Sequence, residues 1–559
     1  MTNKEIARSF ANLAAIMELH NENPFKIKSY QNAYITLRKT DKPLSEMTRT
    51  ELDDIKGVGK AIADKIQELL AKGTMETYQK YAEVTPAGVV EMLNIKGFGP
   101  KKIIAVWKDL GIETVGELVY ACNENRLIEL HGFGKKTQDE IRKAAEYYLK
   151  SRNMRFWALA DEDATVVIKN LEAKLKNVRI ERVGALRRLS PIVSNIEILI
   201  ATDGDISQIF DNQNLTLVKN TDNVFYCVTH NEAPVIIYTC KEEEFGSKYF
   251  KYTGSRAFLE AFVKASTPSL GAEGLVDFRH LQTETAIFEK AGMPYIEPEL
   301  REDYEILELA MGNQLPKNLI QVGDIQGVIH THTTYSDGLN TVREMAEYAQ
   351  RLGYKYIGIS DHSKAAFYAN GLKEDRVEAQ WREIEELNKE LFNFKILKSI
   401  ECDILNDGSL DYSEDILRGF DFVIASIHTN LKMTEEKATA RLIKAIENPY
   451  TTILGHPTGR LLLSREGYPI DHKKVIEACA ANKVAIELNA NPYRMDIDWT
   501  WIPYALECGV LISINPDAHS CEGIKDIRYG VLTARKGRLN KECCLNARDV
   551  DGFWDFISK

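Results

Sequence analysis

A chain of 559 residues with 44% hydrophobic and 27% charged residues has the balance of a folded globular protein and the length of several domains, which excludes disorder along its whole length. It holds no run of about 18 apolar residues, so no membrane span is expected. Its start, MTNKEIARSF, lacks the basic-then-apolar order of a signal peptide. Nine cysteines without a C-x-x-C pair point to a reduced, cytoplasmic chain. The net charge of −11 alone argues against nucleic-acid binding. It is uneven, however: residues 1–150 carry 23 Lys+Arg against 21 Asp+Glu, and the rest carry 48 against 61. One part can therefore offer cations to phosphate while another gathers carboxylates for metal.

Residues 1–150 read as helices broken by glycine. A short motif recurs three times, as IKGVGK (55–60), IKGFGP (95–100) and LHGFGK (130–135), each closing one helical stretch and opening another. G-x-G at such a turn admits φ > 0 and a close approach of backbone to phosphate. The following helix presents free N–H groups and its positive dipole end. Gly57, Gly59, Lys60, Gly97, Gly99, Gly132, Gly134 and Lys135 are the candidate DNA contacts; Pro100 replaces lysine in the second copy. Plain interhelical turns remain the alternative. Residues 151–300 alternate short apolar runs with turns (RIERVGA, VSNIEILIA, NVFYCVTH, APVIIYTC), predicting an antiparallel sheet with flanking helices. MPYIEPELRED (293–303), with two prolines and many charges, reads as a linker.

From residue 322, seven apolar runs alternate with helical segments: QGVIHTH, YIGISDH, ILKSIECD, FVIASIH, TTILGHP, VAIELNA and VLISINPDAH. Continuous apolar runs fit buried parallel strands, and the βα alternation predicts a closed, distorted α/β barrel. Six of the eleven histidines, His330, His332, His362, His428, His456 and His519, stand at or just beyond the ends of these runs, together with Asp337, Glu401 and Asp517. His472 opens a helix and is set aside. Strand ends of such a barrel converge on one face. Imidazole with carboxylate suits Mn²⁺, Zn²⁺ or Fe, and nine ligands serve two or three ions.

HTHTTYSDG, SDHS, IECDIL, IHTN, GHPTGR and PDAHS together resemble the motif set of the PHP (polymerase and histidinol phosphatase) family. The resemblance implies a (β/α)7 barrel with a trinuclear centre that hydrolyses phosphate esters. It assigns His330, His332, Glu401 and Asp517 to one ion. A second takes Glu401 (bridging), His428 and His456, and a third takes Asp337, His362 and His519. Glu401 and Asp517 are then also the catalytic candidates. Arg460, in GHPTGR, is a candidate clamp for a phosphate oxygen, a solvated loop arginine being the alternative.

The glycine motifs resemble helix-hairpin-helix elements, which grip the DNA backbone. The order of modules along the chain is similar to that of bacterial family X DNA polymerases. That resemblance divides the chain into a lyase-type helical domain (1–80), a helical DNA-binding domain with two hairpins (81–150), a nucleotidyltransferase-like palm and thumb region (151–300) and a PHP phosphoesterase domain (322–559). It aligns Lys65 with the family's Schiff-base lysine. The palm departs from the family pattern. In GALRR, Ala185 replaces the phosphate-binding Ser, while Arg187 and Arg188 remain. Asn195 and Glu197 stand where D-x-D is expected, and Ile236 where a third Asp is expected. Asn is a neutral ligand and Ile none, so Mg²⁺ is not expected there.

Two function classes follow. One is a metal-dependent phosphoesterase, of the 3′–5′ DNA exonuclease type, acting on repair ends in gapped, nicked or primer–template DNA. The other is a functional or residual polymerase carrying that exonuclease. A small-molecule phosphatase of the PHP family is a third reading, which leaves the hairpin motifs unexplained.

Overall fold

The computed structural model describes residues 1–558 apart from 41, 124–125, 152, 205, 211–214 and 267–277. The chain forms two units, Met1–Asn153 and Met154–Lys559. The first is helical. Its opening helix, Asn3–Leu19, starts on a capping box in which Thr2 accepts from the Glu5 amide and the Glu5 carboxylate accepts from the Thr2 amide. Ile6, Phe10, Leu13 and Met17 recur at helical spacing and are buried. One core runs continuously from Ile6 to Ala145.

The second unit begins with β1 (Arg155–Phe156), β2 (Ile180–Val183), β3 (Ile192–Val193), β4 (Ile196–Ala201), β5 (Leu215–Thr221), β6 (Val224–Thr229) and β7 (Pro234–Cys240). β1 and β3 make a short antiparallel ladder, and the other five form a sheet in the order β2-β4-β7-β6-β5. The expected antiparallel sheet is mixed instead, because β7 lies parallel to β4. The β5–β6–β7 meander folds back so that its last strand, not its first, reaches β4. β5 escaped the sequence reading. It is an edge strand whose residues beyond Leu215 face mostly outward, so it carries no apolar run.

Segment 293–303 is not a linker. Ile296, Leu300 and Arg301 are buried in it, and three of its charges are paired. Arg301 binds Glu284, Glu299 binds Arg535, and Glu302 binds both Arg188 and Lys536. Paired charges can be buried where a solvated run cannot, and charge content alone does not separate the two cases.

Seven strands follow: β8 (Gly327–Thr331), β9 (Tyr356–Ile359), β10 (Lys395–Asp403), β11 (Phe422–Ser426), β12 (Thr451–Leu454), β13 (Ala485–Asn489) and β14 (Ile512–Asn515). They are parallel and lie in sequence order. Beyond β8 and β14 the two edges meet at a Thr331–Ala518 bridge. There the His332 amide donates to the Ala518 carbonyl (2.8 Å) and the Ala518 amide to the His330 carbonyl (3.2 Å). The sheet is thus a nearly closed barrel. β10 is the longest of the seven; its first half pairs with β9 and its second with β11. That stagger carries Glu401 to the barrel's C-terminal face. No helix among the described residues is long and apolar enough to cross a membrane.

Candidate functional site

The barrel brings all nine candidate ligands together. Their donor atoms fall into four groups, each lying within 4.8 Å: His332, Asp337, His362 and His519; His330, His332 and Asp517; His330, Glu401 and His456; and His362, Glu401 and His428. His330 and His332 come from the end of β8, Glu401 from β10, and the others from the loops that follow β8, β9, β11, β12 and β14. Glu401 is the hub. Its Oε1 lies 2.9 Å from His456 Nε2 and 3.1 Å from His428 Nε2, and its Oε2 lies 2.9 Å from His362 Nδ1. Burial works to raise the Glu401 carboxyl, but His428, His330 and His362 hold it well below the usual carboxylate range. His330 and Asp517 both sit at positive φ (66° and 52°). Non-glycine residues seldom adopt that conformation, and strain of this kind concentrates at functional positions.

The donor set fits divalent cations. His332 Nδ1 and His456 Nδ1 are buried and have no hydrogen-bond partner among the described residues. Such atoms are costly unless something else satisfies them. Imidazole and carboxylate are borderline-to-hard donors suited to Zn²⁺, Mn²⁺ or Fe.

A surrounding layer orients these donors, and motif reading missed it. Glu487 on β13, fully buried, accepts from His330 Nδ1 at 2.6 Å. It also accepts from the His456 amide (3.2 Å), Asn489 Nδ2 (2.9 Å) and Asn515 Nδ2 (2.8 Å). Asp403 lies 2.7 Å from His428 Nδ1. These contacts put the ring protons of His330 and His428 on Nδ1 and leave Nε2 free toward Glu401. Asp361 takes the Thr333 amide (2.7 Å), the Thr333 hydroxyl (2.7 Å) and Gln380 Nε2 (2.6 Å), which pins the loop carrying Asp337. The signal for Glu487 was present: a lone acid inside the apolar run VAIELNA.

Arg460 does not face the centre. Its guanidinium donates to Asp498 and to the carbonyls of Met495 and Arg494. All three guanidinium nitrogens thus have partners on the 494–498 turn, and Arg460 acts there as a loop tie. The arginine beside the ligands is Arg494, whose Nε lies 3.6 Å from Asp517 Oδ2.

In the palm, Glu197 stands opposite Ile236 in the β4–β7 register. Its carboxylate accepts from the Tyr238 hydroxyl (2.9 Å) and lies against the Gly184 turn, where any Cβ would be 1.8 Å from Glu197 Oε2. Burial raises the Glu197 carboxyl. Tyr238 stacks on Tyr252 with centroids 3.8 Å apart. Asn195 Nδ2 donates to its neighbour Ser194 (3.0 Å), and Ala185 follows the Gly184 turn. Arg187 makes a two-pronged pair with Glu284 (2.8 and 2.6 Å), and Arg188 binds Glu302 (2.9 Å). Among the described residues, every group able to hold a metal lies in the barrel.

The three glycine motifs share one geometry. Gly57, Gly97 and Gly132 have φ of 92°, 79° and 84°. The residue between the glycines (Val58, Phe98, Phe133) is buried, and its amide closes the turn onto Ile55, Ile95 and Leu130. Gly59 and Gly99 are ordinary N-caps at φ −82° and −77°, leading into helices that begin at Lys60 and Pro100. A Cβ at Gly59, Gly99 or Gly134 would touch nothing within 4 Å. Neither backbone nor packing therefore demands glycine at these second positions. Lys135 opens the helix after the third motif. Lys65 is not on an exposed face: its side chain is 17% exposed, 3.3 Å from Glu68 and donating to Thr77 (2.9 Å).

Comparison with known proteins gives three family matches along the chain. A helix-hairpin-helix domain model matches residues 1–75, a SAM-like helix-hairpin-helix tandem model 89–146, and a PHP domain model 329–491. The DNA polymerase/3′-5′ exonuclease PolX of Bacillus subtilis (strain 168) is 34% identical over 99% of both chains. A probable phosphatase of Acetivibrio thermocellus is 32% identical over 34% of this chain and 78% of its own. One from Caldanaerobacter subterraneus subsp. tengcongensis is 32% identical over 39% and 85%. The end-to-end match shows that this chain belongs to the family of the DNA polymerase/3′-5′ exonuclease PolX.

Proposed function

We propose that the chain is a DNA-binding, metal-dependent phosphoesterase that removes nucleotides in the 3′–5′ direction, and that its palm does not polymerise. One observation carries this reading: nine ligands, all but Asp337 buried or half-buried, converge around Glu401 in the barrel, while the palm offers Glu197 facing Ile236. His330, His332, Asp337, His362, Glu401, His428, His456, Asp517 and His519 would hold Mn²⁺ or Zn²⁺, up to three ions, with Glu401 shared. Such cations supply Lewis acidity toward phosphate oxygens and toward water.

The chain's own residues do the positioning. Glu487 and Asp403 hold protons at Nδ1 of His330 and His428, so each ring presents Nε2. Arg494 stands at the rim beside Asp517, where a guanidinium can bind a phosphodiester oxygen. The open backbone at Gly59, Gly99 and Gly134 supports close approach of DNA phosphates to the helix N-termini behind them. The probable phosphatases cover 34% and 39% of this chain, and a small-molecule phosphatase reading leaves these hairpins without a role.

The deciding experiment uses 3′- and 5′-labelled primer–template DNA, with and without Mn²⁺ and dNTPs, beside a small phosphomonoester. Mn²⁺-dependent shortening from the 3′ end without extension supports the proposal. Hydrolysis of the monoester but not DNA would replace it with the phosphatase reading.

A further inference from the structure

The loop after β9 bears two exposed aromatic side chains beside the ligand cluster. Phe367 is 83% exposed and Tyr368 58%, and their rings meet edge to face at 6.0 Å. The Tyr368 ring lies 6.4 Å from that of His362, one of the nine ligands. Two adjacent open rings beside polar ligands make a small apolar patch at the site, and an apolar patch rimmed by polar groups can mark a binding groove.

The loop that carries them is rigid. The Ala366 amide donates to the Ser363 carbonyl (3.0 Å), Gly371 to Ala366 (3.1 Å) and Leu372 to His362 (2.8 Å). Asn370 takes the left-handed conformation (φ 56°), and its side chain donates to the Tyr335 carbonyl (3.2 Å). Gly371 packs so closely that a Cβ there would lie 1.9 Å from the Ser363 oxygen. The ordering cost of presenting the two rings is thus already met by the fold.

We infer that Phe367 and Tyr368 form a stacking platform for the base of the terminal nucleotide whose phosphodiester lies at the barrel's ligand cluster. This rests on the phosphoesterase reading above and gives Phe367 and Tyr368 a positioning role within it. A base can lie on these rings only when it has left its duplex. Stacking on an aromatic face tolerates every base, so no sequence preference follows.

The test uses the full chain and the double variant Phe367→Ala/Tyr368→Ala, with metal content measured for both. The probe is a single-stranded oligonucleotide carrying 2-aminopurine at its 3′ end and a methylphosphonate at the last linkage. Wild type should quench the terminal fluorophore and the variant should not. On cleavable single strands, the variant's KM should rise roughly tenfold or more with kcat little changed. On an oligonucleotide with an abasic 3′ terminus the two proteins should match. Phe367→Trp should restore quenching in the Tyr368→Ala background. Equal quenching by both proteins, or an equal loss on normal and abasic ends, would overturn the platform. If wild type quenches the probe yet hydrolyses nothing in Mn²⁺, the phosphoesterase reading fails while the platform stands. If it hydrolyses DNA without quenching, only the platform falls.

Discussion

Glu197 on β4 and Ile236 on β7 face each other across the parallel pairing of the palm sheet. A hydrocarbon therefore stands where a second acid would have to stand to hold a cation between these strands. At an effective dielectric near 20, each absent charge close to a cation removes on the order of a few kcal/mol. The unmodified protein is expected to show no template-directed extension in Mg²⁺ or Mn²⁺. The triple change Asn195→Asp, Glu197→Asp, Ile236→Asp is expected to restore at most weak synthesis, because Ala185 lacks a hydroxyl for phosphate. Primer extension on gels checks both, and robust extension by wild type would reverse the assignment.

Direct ligands and their supports should differ in degree. Glu401→Ala removes the hub and is expected to abolish hydrolysis, with metal content falling by more than one ion per chain. His332→Ala should also lower it, since His332 belongs to two of the four donor groups. Elemental analysis of protein purified without chelator provides the measurement. Wild type free of metal and indifferent to added Mn²⁺ would sink the metal-centre reading.

Glu487→Gln keeps the shape but loses the carboxylate that fixes the His330 proton at Nδ1. Loss of such a partner typically costs 10–100-fold in metal affinity or activity. Competition with a chelating dye should show a weakening of about that size and a nearly unchanged far-ultraviolet spectrum. Wild-type affinity would show that Glu487 orients nothing.

The glycines of the hairpins should separate into two kinds. Alanine at Gly57, Gly97 or Gly132 must adopt φ of 79–92° and is expected to destabilise the first unit by about 1–2 kcal/mol each. Alanine at Gly59, Gly99 or Gly134 meets open space and should leave stability nearly unchanged while weakening DNA binding. Thermal melts and fluorescence anisotropy report the two effects. Affinity should also fall steeply with salt as counterions are released, and a flat salt dependence would count against phosphate contacts.

Acid should weaken the second unit through Glu284. Burial acts to raise its carboxyl, but Arg187 and Arg301 overcome that and hold it below its ordinary value of 4.5. A depressed folded-state pKa means the stabilisation is full above about 4.5 and is lost as pH falls toward the folded value. Glu284→Gln leaves two buried guanidinium groups uncompensated, and should cost about 3–5 kcal/mol at neutral pH. Its stability should fall less between about pH 5 and pH 3 than that of wild type. Parallel acid limbs in the two proteins would remove Glu284 from the account.

Much of the fold was readable from local pattern. The seven barrel strands coincide with seven apolar runs, because strands buried on both faces can carry little else. The nine ligands were readable because histidines and acids at strand ends stand out against those runs. The three hairpins were readable from glycines that a turn at positive φ requires. What only tertiary structure decided lies in pairings between distant residues. Arg460 and Arg494 look alike in sequence; a salt bridge to Asp498 turns the first away and proximity to Asp517 keeps the second at the centre. The charged stretch 293–303 is packed because Glu284, Arg535, Arg188 and Lys536, up to about 240 residues away, supply its counter-charges. The parallel β4–β7 pairing depends on which strand of the meander comes home, and alternation within a strand does not encode the direction of its neighbour. Local residue pattern specifies each element and its chemistry; the identity of the partner is settled only when the chain closes on itself.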